Sequence, residues 1–235
     1  MSRTAPPESV DGVAAVDRAL AIVDAIAQTT EPISLADLSR VTGFYKSTLL
    51  RLIASLERSN LVVRRADGRY ALGLYAHQLG RAYEAAYHLT DVLQPILQAL
   101  VDQGTESASF HAYHDPQSRI CLLRIDSLHS TLDRIRAGDL LPLDKGAAGK
   151  LLTAYRVLGE RADAAGLVAT SMGERDPSCA AVASPVFGPD DEIRGVISLS
   201  GPKERFTAAA IKKMSQLLQD SAARATRSLG GRWPG

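Results

Sequence analysis

Residues 33–73 read ISLADLSRVTGFYKSTLLRLIASLERSNLVVRRADGRYALG, and the order of caps, apolar spacing and turns within them decides the fold. Ser34 precedes the apolar positions Leu35, Leu38 and Val41 and is a natural N-cap, with Asp37 three residues on as an acidic variant of the capping box. Gly43 ends that helix, because glycine tolerates the positive φ that a tight turn between two helices requires. A further helix spans about Lys46 to Ser59, with Leu49, Leu52, Ile53 and Leu56 facing inward and Ser47, Arg51, Ser55 and Arg58 in one arc on the other side. Asn60 accepts the left-handed conformation of a helix end. Leu61–Arg65 and Arg69–Leu72 then read as two strands joined through Asp67-Gly68, a dipeptide suited to a tight hairpin. Helix, glycine turn, helix and hairpin make a winged helix-turn-helix.

Upstream, Val16, Ala19, Leu20, Val23, Ile26 and Ala27 recur at helical spacing, which predicts a core-facing first helix over Val16–Gln28. Charge placement says what the unit does. Residues 40–75 hold seven basic side chains against two acidic ones, whereas the whole chain carries a formal net charge of only +1. Positive charge is thus concentrated where this fold touches DNA, which a merely solvated surface does not require. Lys46, Ser47 and Thr48 open the second helix, where hydroxyls and the helix N-terminus suit phosphate oxygens. Arg51, one turn later, reaches a base edge or a second phosphate, Ser55 and Arg58 continue its arc, and Arg64, Arg65 and Arg69 crowd the hairpin tip.

From Leu74 to Gln103 there is no strong turn signal. Leu79, Ala82, Tyr83, Ala86 and Tyr87 form one apolar stripe, and Val92, Leu93, Ile96, Leu97, Leu100 and Val101 another. This predicts a linker helix and then the first helix of a second domain, capped by Thr90 or Asp91, with Pro95 in its early turns. A connecting helix has no core of its own, so its tyrosines point to burial against a partner protomer. Beyond Gly104, Ala108–Tyr113 and Ile120–Asp126 flank Asp115-Pro116 as a hairpin, Leu132–Arg136 is a weaker strand, and Asp144–Tyr155 is helical. Ala180–Phe187 and Ile193–Ser200 form another hairpin, and Phe206–Leu229 closes the chain as a helix capped by Thr207, with Arg224 and Arg227 near its C-terminus. The result is an antiparallel sheet with helices on one side.

Several motifs tempt a chemical reading and fail. Gly146-Ala-Ala-Gly149-Lys150 has Asp144 where a phosphate loop needs glycine and Leu151 where it needs Ser or Thr. Ser198 and Ser200 lack the flanking glycines of a nucleophile elbow. His111 and His114 fall on opposite faces of a strand, and a metal shell would need His129 or Cys121 to complete it. No catalytic residue, metal or cofactor is expected.

The run Val16-Asp-Arg-Ala-Leu-Ala-Ile22, the helix with Lys46-Ser-Thr48 and Arg51-Leu52, and the wing ending Tyr70-Ala-Leu-Gly73 resemble the IclR family of bacterial transcriptional regulators. The similarity continues through Leu141-Pro-Leu143, Gly146-Ala-Ala-Gly-Lys150, Ala183-Ser-Pro-Val-Phe187 and Ile197-Ser-Leu-Ser-Gly-Pro202, in order, so it covers about Val13 to Leu229. The resemblance implies dimerisation through the linker helix and a GAF-like effector domain. It also implies effector contacts at the start of the helix after Leu-Pro-Leu and on the final hairpin, here Gly146, Ala147, Ala148, Cys179, Ala181, Ser198 and Ser200. Small residues at a helix start leave N–H groups and room for a carboxylate, and serine hydroxyls can fix it. His111, Arg124, Arg134 and Arg136 are further anion partners whose facing the sequence leaves open.

Together these readings give an α+β chain: a disordered tail over 1–12, a winged helix-turn-helix DNA-binding domain over 13–73, a linker helix over 74–90 and a GAF-like α/β effector-binding domain over 91–230. The 235 residues, 46% hydrophobic, suffice for two modest cores. No signal peptide or membrane span is read, and Cys121 and Cys179 fit reduced thiols in the cytoplasm. The expected function is a regulator that binds double-stranded operator DNA as a homodimer or dimer of dimers and responds to a small organic or aromatic acid. The alternative is an enzyme or metabolite-binding module whose winged helix serves protein contacts.

Overall fold

The computed structural model describes residues 12–87, 89–128, 134–157, 159 and 166–234. The tail expected over 1–12 lies almost wholly outside them. Two compact units meet in sequence between Tyr87 and His88.

The first unit runs α1 (Ala14–Ala27), α2 (Leu35–Thr42), α3 (Lys46–Arg58), β1 (Val62–Arg64), β2 (Tyr70–Leu72) and α4 (Leu74–Tyr87). Ser34 caps α2 as its spacing predicts, its Oγ accepting the Asp37 N–H at 3.1 Å while its hydroxyl donates to the Asp37 carboxylate at 2.7 Å. Gly43 turns at φ 72° and Asn60 at φ 57°. Ile22, Ile26, Leu38, Leu49, Ile53, Leu56, Val62 and Tyr70 form one buried core. The wing is tied to that core by a two-way backbone bridge between Ile33 and Tyr70.

Three details differ from the sequence reading. On α1 the buried face is Ile22, Ala25 and Ile26, while Val16 and Leu20 are both 53% exposed. An alanine-rich helix carries two overlapping apolar stripes, and the bulkier Ile22 stripe wins the core. Val41 is exposed, because the chain turns at Gly43 before the last turn of α2 meets the core, whose edge Phe44 supplies instead. The wing turn is a three-residue loop: the Gly68 N–H returns to the Arg65 carbonyl at 2.9 Å, and the Arg65 N–H bonds to Arg69. Gly68, at φ 82°, takes the left-handed place of a bulged hairpin.

The second unit runs α5 (Leu89–Asp102), β3 (Ser107–Tyr113), β4 (Ser118–Ile125), β5 (Leu140–Pro142), α6 (Gly146–Leu152), β6 (Ala169–Met172), β7 (Cys179–Phe187), β8 (Ile193–Pro202) and α7 (Ala208–Ser228). Leu89 already belongs to α5, so Thr90 and Asp91 lie inside its first turn rather than capping it. Thr207 caps α7, accepting the Ala210 N–H. All sheet pairings are antiparallel, in the order β5-β4-β3-β8-β7-β6.

The period of two sorts the sheet's residues by face. Ala108, Phe110, Ala180, Val182, Ile197 and Leu199 pack against Leu93, Leu97 and Leu100 of α5 and Met214, Leu218 and Ala222 of α7. The opposite face sends Ala183 and Val196 to α6, against Ala147, Ala148, Leu151 and Leu152. Helices therefore cover both faces, not one. The expected strand Leu132–Arg136 begins outside the described residues; Arg134, Ile135 and Arg136 are not in a strand, and Leu140–Pro142 forms the edge instead. The helix expected to reach Tyr155 is α-helical only to Leu152 and continues as a π-helical turn over Thr153–Val157.

Candidate functional site

On the first unit, Leu49, Ile53 and Leu56 anchor α3 in the core and so turn its other face outward. Lys46, Ser47, Arg51, Ser55 and Arg58 are exposed there and Thr48 is half-buried. Arg58 donates to the Ser55 hydroxyl at 3.0 Å, tying two members of the arc together. Arg64, Arg65 and Arg69 are exposed on the wing. Arg64 stands 6.0 Å over the ring of the buried Tyr70, and Arg69 lies 3.8 Å from Asp67. Arg40 is held by Asp37 at 2.6 Å. Lys46, Arg51 and Arg65 are exposed and make no ion pair among the described residues, so their charge faces solvent.

On the second unit, the seven small and hydroxyl residues singled out in the sequence come together. Gly146, Ala147 and Ala148 from α6, Cys179 and Ala181 from β7, and Ser198 and Ser200 from β8 line one cavity of about 40 Å³. Their convergence follows from register: Ala181 pairs with Ser200 and Ala183 with Ser198, which puts their side chains on the α6 face. The cavity shares Ile135, Arg175 and Asp176 with a wider, more open recess of about 490 Å³ that Arg134 also lines. A cavity of ~40 Å³ holds only a few waters, so a larger guest occupies the recess as well or pushes α6 and the sheet apart.

Sequence reasoning missed Arg119, Ser171, Arg175 and Asp176 as lining residues. Arg119, on β4, is 3% exposed, and its Nη1 donates to the carbonyls of Pro142 and Lys145, the latter at 3.0 Å. A buried arginine pinning the Leu141-Pro-Leu143 turn has no local signature; only the pairing of Arg119 with Leu141 brings them together. Of the four further anion partners, His111 lines the cavity and Arg134 the outer recess. Arg124 is paired with Asp126 at 2.7 Å, and Arg136 lines neither.

The helix start is less open than its sequence implies. The Gly146 N–H donates to a Glu174 carboxylate oxygen at 3.2 Å, and Lys150 binds the same carboxylate. His111 is 2% exposed, and its Nε2 lies 2.9 Å from the Ser109 hydroxyl. Burial, reinforced by Arg119, Arg124 and Arg175, pushes its pKa well below the usual histidine value, so the ring is neutral. His114, three residues on, is half exposed beside Asp115, and His129 lies outside the described residues. Among the described residues no group of three or more His, Cys, Asp or Glu side chains could hold a metal, and no helix is long and apolar enough to cross a membrane. Cys121 and Cys179 are both buried and form no disulfide with each other.

Residues 15–66 match the IclR helix-turn-helix domain. The HTH-type transcriptional regulator KipR of Bacillus subtilis is 21% identical over 84% of this chain and 90% of its own. The crystal structure of an IclR transcriptional regulator from a Silicibacter species superposes with a TM-score of 0.79 at 22% identity, covering 94% of this chain and 98% of that one. An IclR homologue from Microbacterium hydrocarbonoxydans, in complex with 4-hydroxybenzoate, superposes at 0.73 with 15% identity, over 92% and 99% of the two chains. Residues 15–66 thus carry an IclR helix-turn-helix domain, and along most of its length the chain is similar to a transcriptional regulator and shares the fold of IclR transcriptional regulators.

Proposed function

We propose that this regulator binds double-stranded operator DNA through α3 and the wing, and that a small carboxylic acid held between α6 and the sheet modulates its affinity. The observation that carries the reading is the convergence of Gly146, Ala147, Ala148, Cys179, Ala181, Ser198 and Ser200 on one cavity with the buried Arg119 in its wall. The hydroxyls supply directional contacts and the arginine a fixed positive charge, the usual make-up of a site for a small anion. The 4-hydroxybenzoate complex of the Microbacterium homologue supports an acid as ligand.

In this reading Lys46, Ser47, Thr48, Ser55, Arg58, Arg64, Arg65 and Arg69 hold phosphates, and Arg51 reads a base edge. The exposed Leu74, Tyr75, Leu79 and Tyr83 of α4 support a homodimer or dimer of dimers, which brings two recognition helices to two half-sites. The protein works in the cytoplasm, with no cofactor and no catalytic step. Coupling requires the acid to favour one DNA-binding arrangement by ~1–3 kcal/mol.

The test selects a promoter fragment from genomic DNA with the purified protein and titrates it with and without 4-hydroxybenzoate. Salt-sensitive binding that shifts with the acid is expected, and Ala147→Trp, which fills the cavity, abolishes the shift. A shift that survives in Ala147→Trp puts the ligand elsewhere.

A further inference from the structure

The cavity wall contains an imidazole nitrogen whose hydrogen bond is missing. His111 Nδ1 is buried and has no hydrogen-bond partner among the described residues, although the other ring nitrogen is held by Ser109. Such an atom in a folded core is costly unless something completes it. His111 lines the cavity, so the completing group comes from whatever occupies it.

The polarity of that group follows from the surroundings. A neutral imidazole has one donor nitrogen and one acceptor nitrogen. The Ser109 hydroxyl has the Ser198 carbonyl within 3.5 Å for its own proton, which leaves its oxygen to accept from Nε2–H. Arg119 and Arg175 line the same cavity, and their positive field orients the ring with its lone pair, not its N–H, toward them. Nδ1 is therefore an acceptor, and it requires a donor. An ammonium group meets two arginines against the single carboxylate of Asp176 in the wall and is disfavoured; a neutral hydroxyl is not.

We propose that His111 is a specificity-determining residue that reads a hydroxyl on the bound acid, so that the ligand class is small hydroxy-carboxylic acids, aliphatic or aromatic, with the carboxylate toward the arginines and the hydroxyl at Nδ1. This rests on the reading of the cavity as an acid site, and it sharpens that site from any small acid to one carrying a donor. It also gives the Ser109–His111 pair a purpose: the serine fixes the tautomer, and the tautomer fixes what is recognised.

The experiment uses the full-length protein and calorimetric titration with acids in matched pairs that differ by one hydroxyl: 4-hydroxybenzoate against benzoate, 3-hydroxybenzoate against benzoate, and lactate against propionate. At least one hydroxy acid is expected to bind about tenfold or more tightly than its partner, as the loss of one buried hydrogen bond demands. In His111→Leu that ratio collapses toward one. In the wild type, a long-range proton–nitrogen histidine spectrum shows Nε2 protonated and Nδ1 bare for His111, which holds even if the leucine variant fails to fold. Equal binding within every pair, a ratio that survives in His111→Leu, or the opposite tautomer overturns the inference while leaving the acid site standing. Absence of binding by every acid, or binding that persists in Ala147→Trp, overturns the site and the inference with it.

Discussion

The carboxylate of Glu174, in the turn between β6 and β7, accepts the N–H of Gly146 at 3.2 Å and is gripped by Lys150. The Lys150 contact above all, with the Gly146 N–H, holds its carboxyl below the usual range. The first donor of α6, which small side chains at a helix start would offer to a ligand, is thus met by the protein itself. Besides the N–H groups of Ala147 and Ala148, the polar groups that line the cavity include the side chains of His111, Arg119, Ser198 and Ser200.

An internal carboxylate beside the cavity also weakens the positive field of Arg119 and Arg175. Glu174→Ala should therefore raise the affinity for 4-hydroxybenzoate about two- to fivefold, the scale of one partly exposed charge pair. Calorimetric titration of the two proteins decides it. Weaker binding in the variant would mean that Glu174 shapes the site rather than competing with its charge.

The winged helix was legible because each of its parts is local: Ser34, Gly43, Asn60 and Gly68 take their conformations from themselves and their nearest neighbours. The cavity was legible only as a set of small residues. Arg119 and Ser171 enter it through strand pairing across the sheet, and Arg175 and Asp176 through a turn whose Glu174 folds back on α6, relationships that no spacing along the chain encodes. The same applies to the two-sided cover of the sheet, since Ala183 and Val196 look like ordinary strand residues until α6 is seen against them. On α1, periodicity found the helix but not which of two stripes is buried, because alanines blur the difference.

Close approach at Gly149 is a second point of test. A Cβ there would lie 2.3 Å from the Leu143 carbonyl oxygen and 3.2 Å from Arg119 Nη1, so backbone and a buried arginine would both have to move. Gly149→Ala should cost ~1–3 kcal/mol of stability, as overpacking does, read as a lower denaturation midpoint. An unchanged midpoint would mean that α6 is not held against the Leu-Pro-Leu turn.

His111 makes stability depend on pH with a definite sign. Burial, then Arg119, Arg124 and Arg175, depress its folded pKa far below the ordinary 6.5. Between the two values the unfolded chain binds a proton that the folded one refuses, so its contribution is complete above about pH 6.5 and is lost as the pH falls below it. The slope approaches ~1.4 kcal/mol per pH unit for one proton. Unfolding free energies between about pH 7 and 5 should fall less steeply in His111→Gln than in the wild type. Parallel curves would assign the acid sensitivity to other groups.

The exposed apolar side chains of α4 make a statement about assembly. Tyr75, Leu79 and Tyr83 fall within one narrow arc of the helix and are 40%, 48% and 48% exposed, and Leu74 at its start is 76% exposed. Leu79→Glu should lower the dimer fraction in sedimentation at about micromolar concentration, because a charge buried without a partner is costly. An unaltered association constant would move the dimer contact off this helix.

The proposed DNA contacts divide into two kinds that salt separates. Arg65→Ala should weaken binding to every sequence and lower the slope of log affinity against log salt by roughly 0.9 for the phosphate contact it removes. Arg51→Ala should instead cost ~1–3 kcal/mol on the preferred site while leaving nonspecific binding close to that of the wild type, if its guanidinium meets a base edge. Arg64, placed among the phosphate contacts, has a second role, since its guanidinium over the Tyr70 ring braces the wing against a core residue. Arg64→Ala should therefore lose stability as well as DNA affinity, by about 0.5–1 kcal/mol for an exposed contact of this type. Fluorescence anisotropy from about 50 to 200 mM salt, with preferred and scrambled duplexes, reads the DNA terms, and thermal unfolding reads the last. Full affinity in a triple Arg64, Arg65 and Arg69 alanine variant that remains folded would remove the wing from the interface.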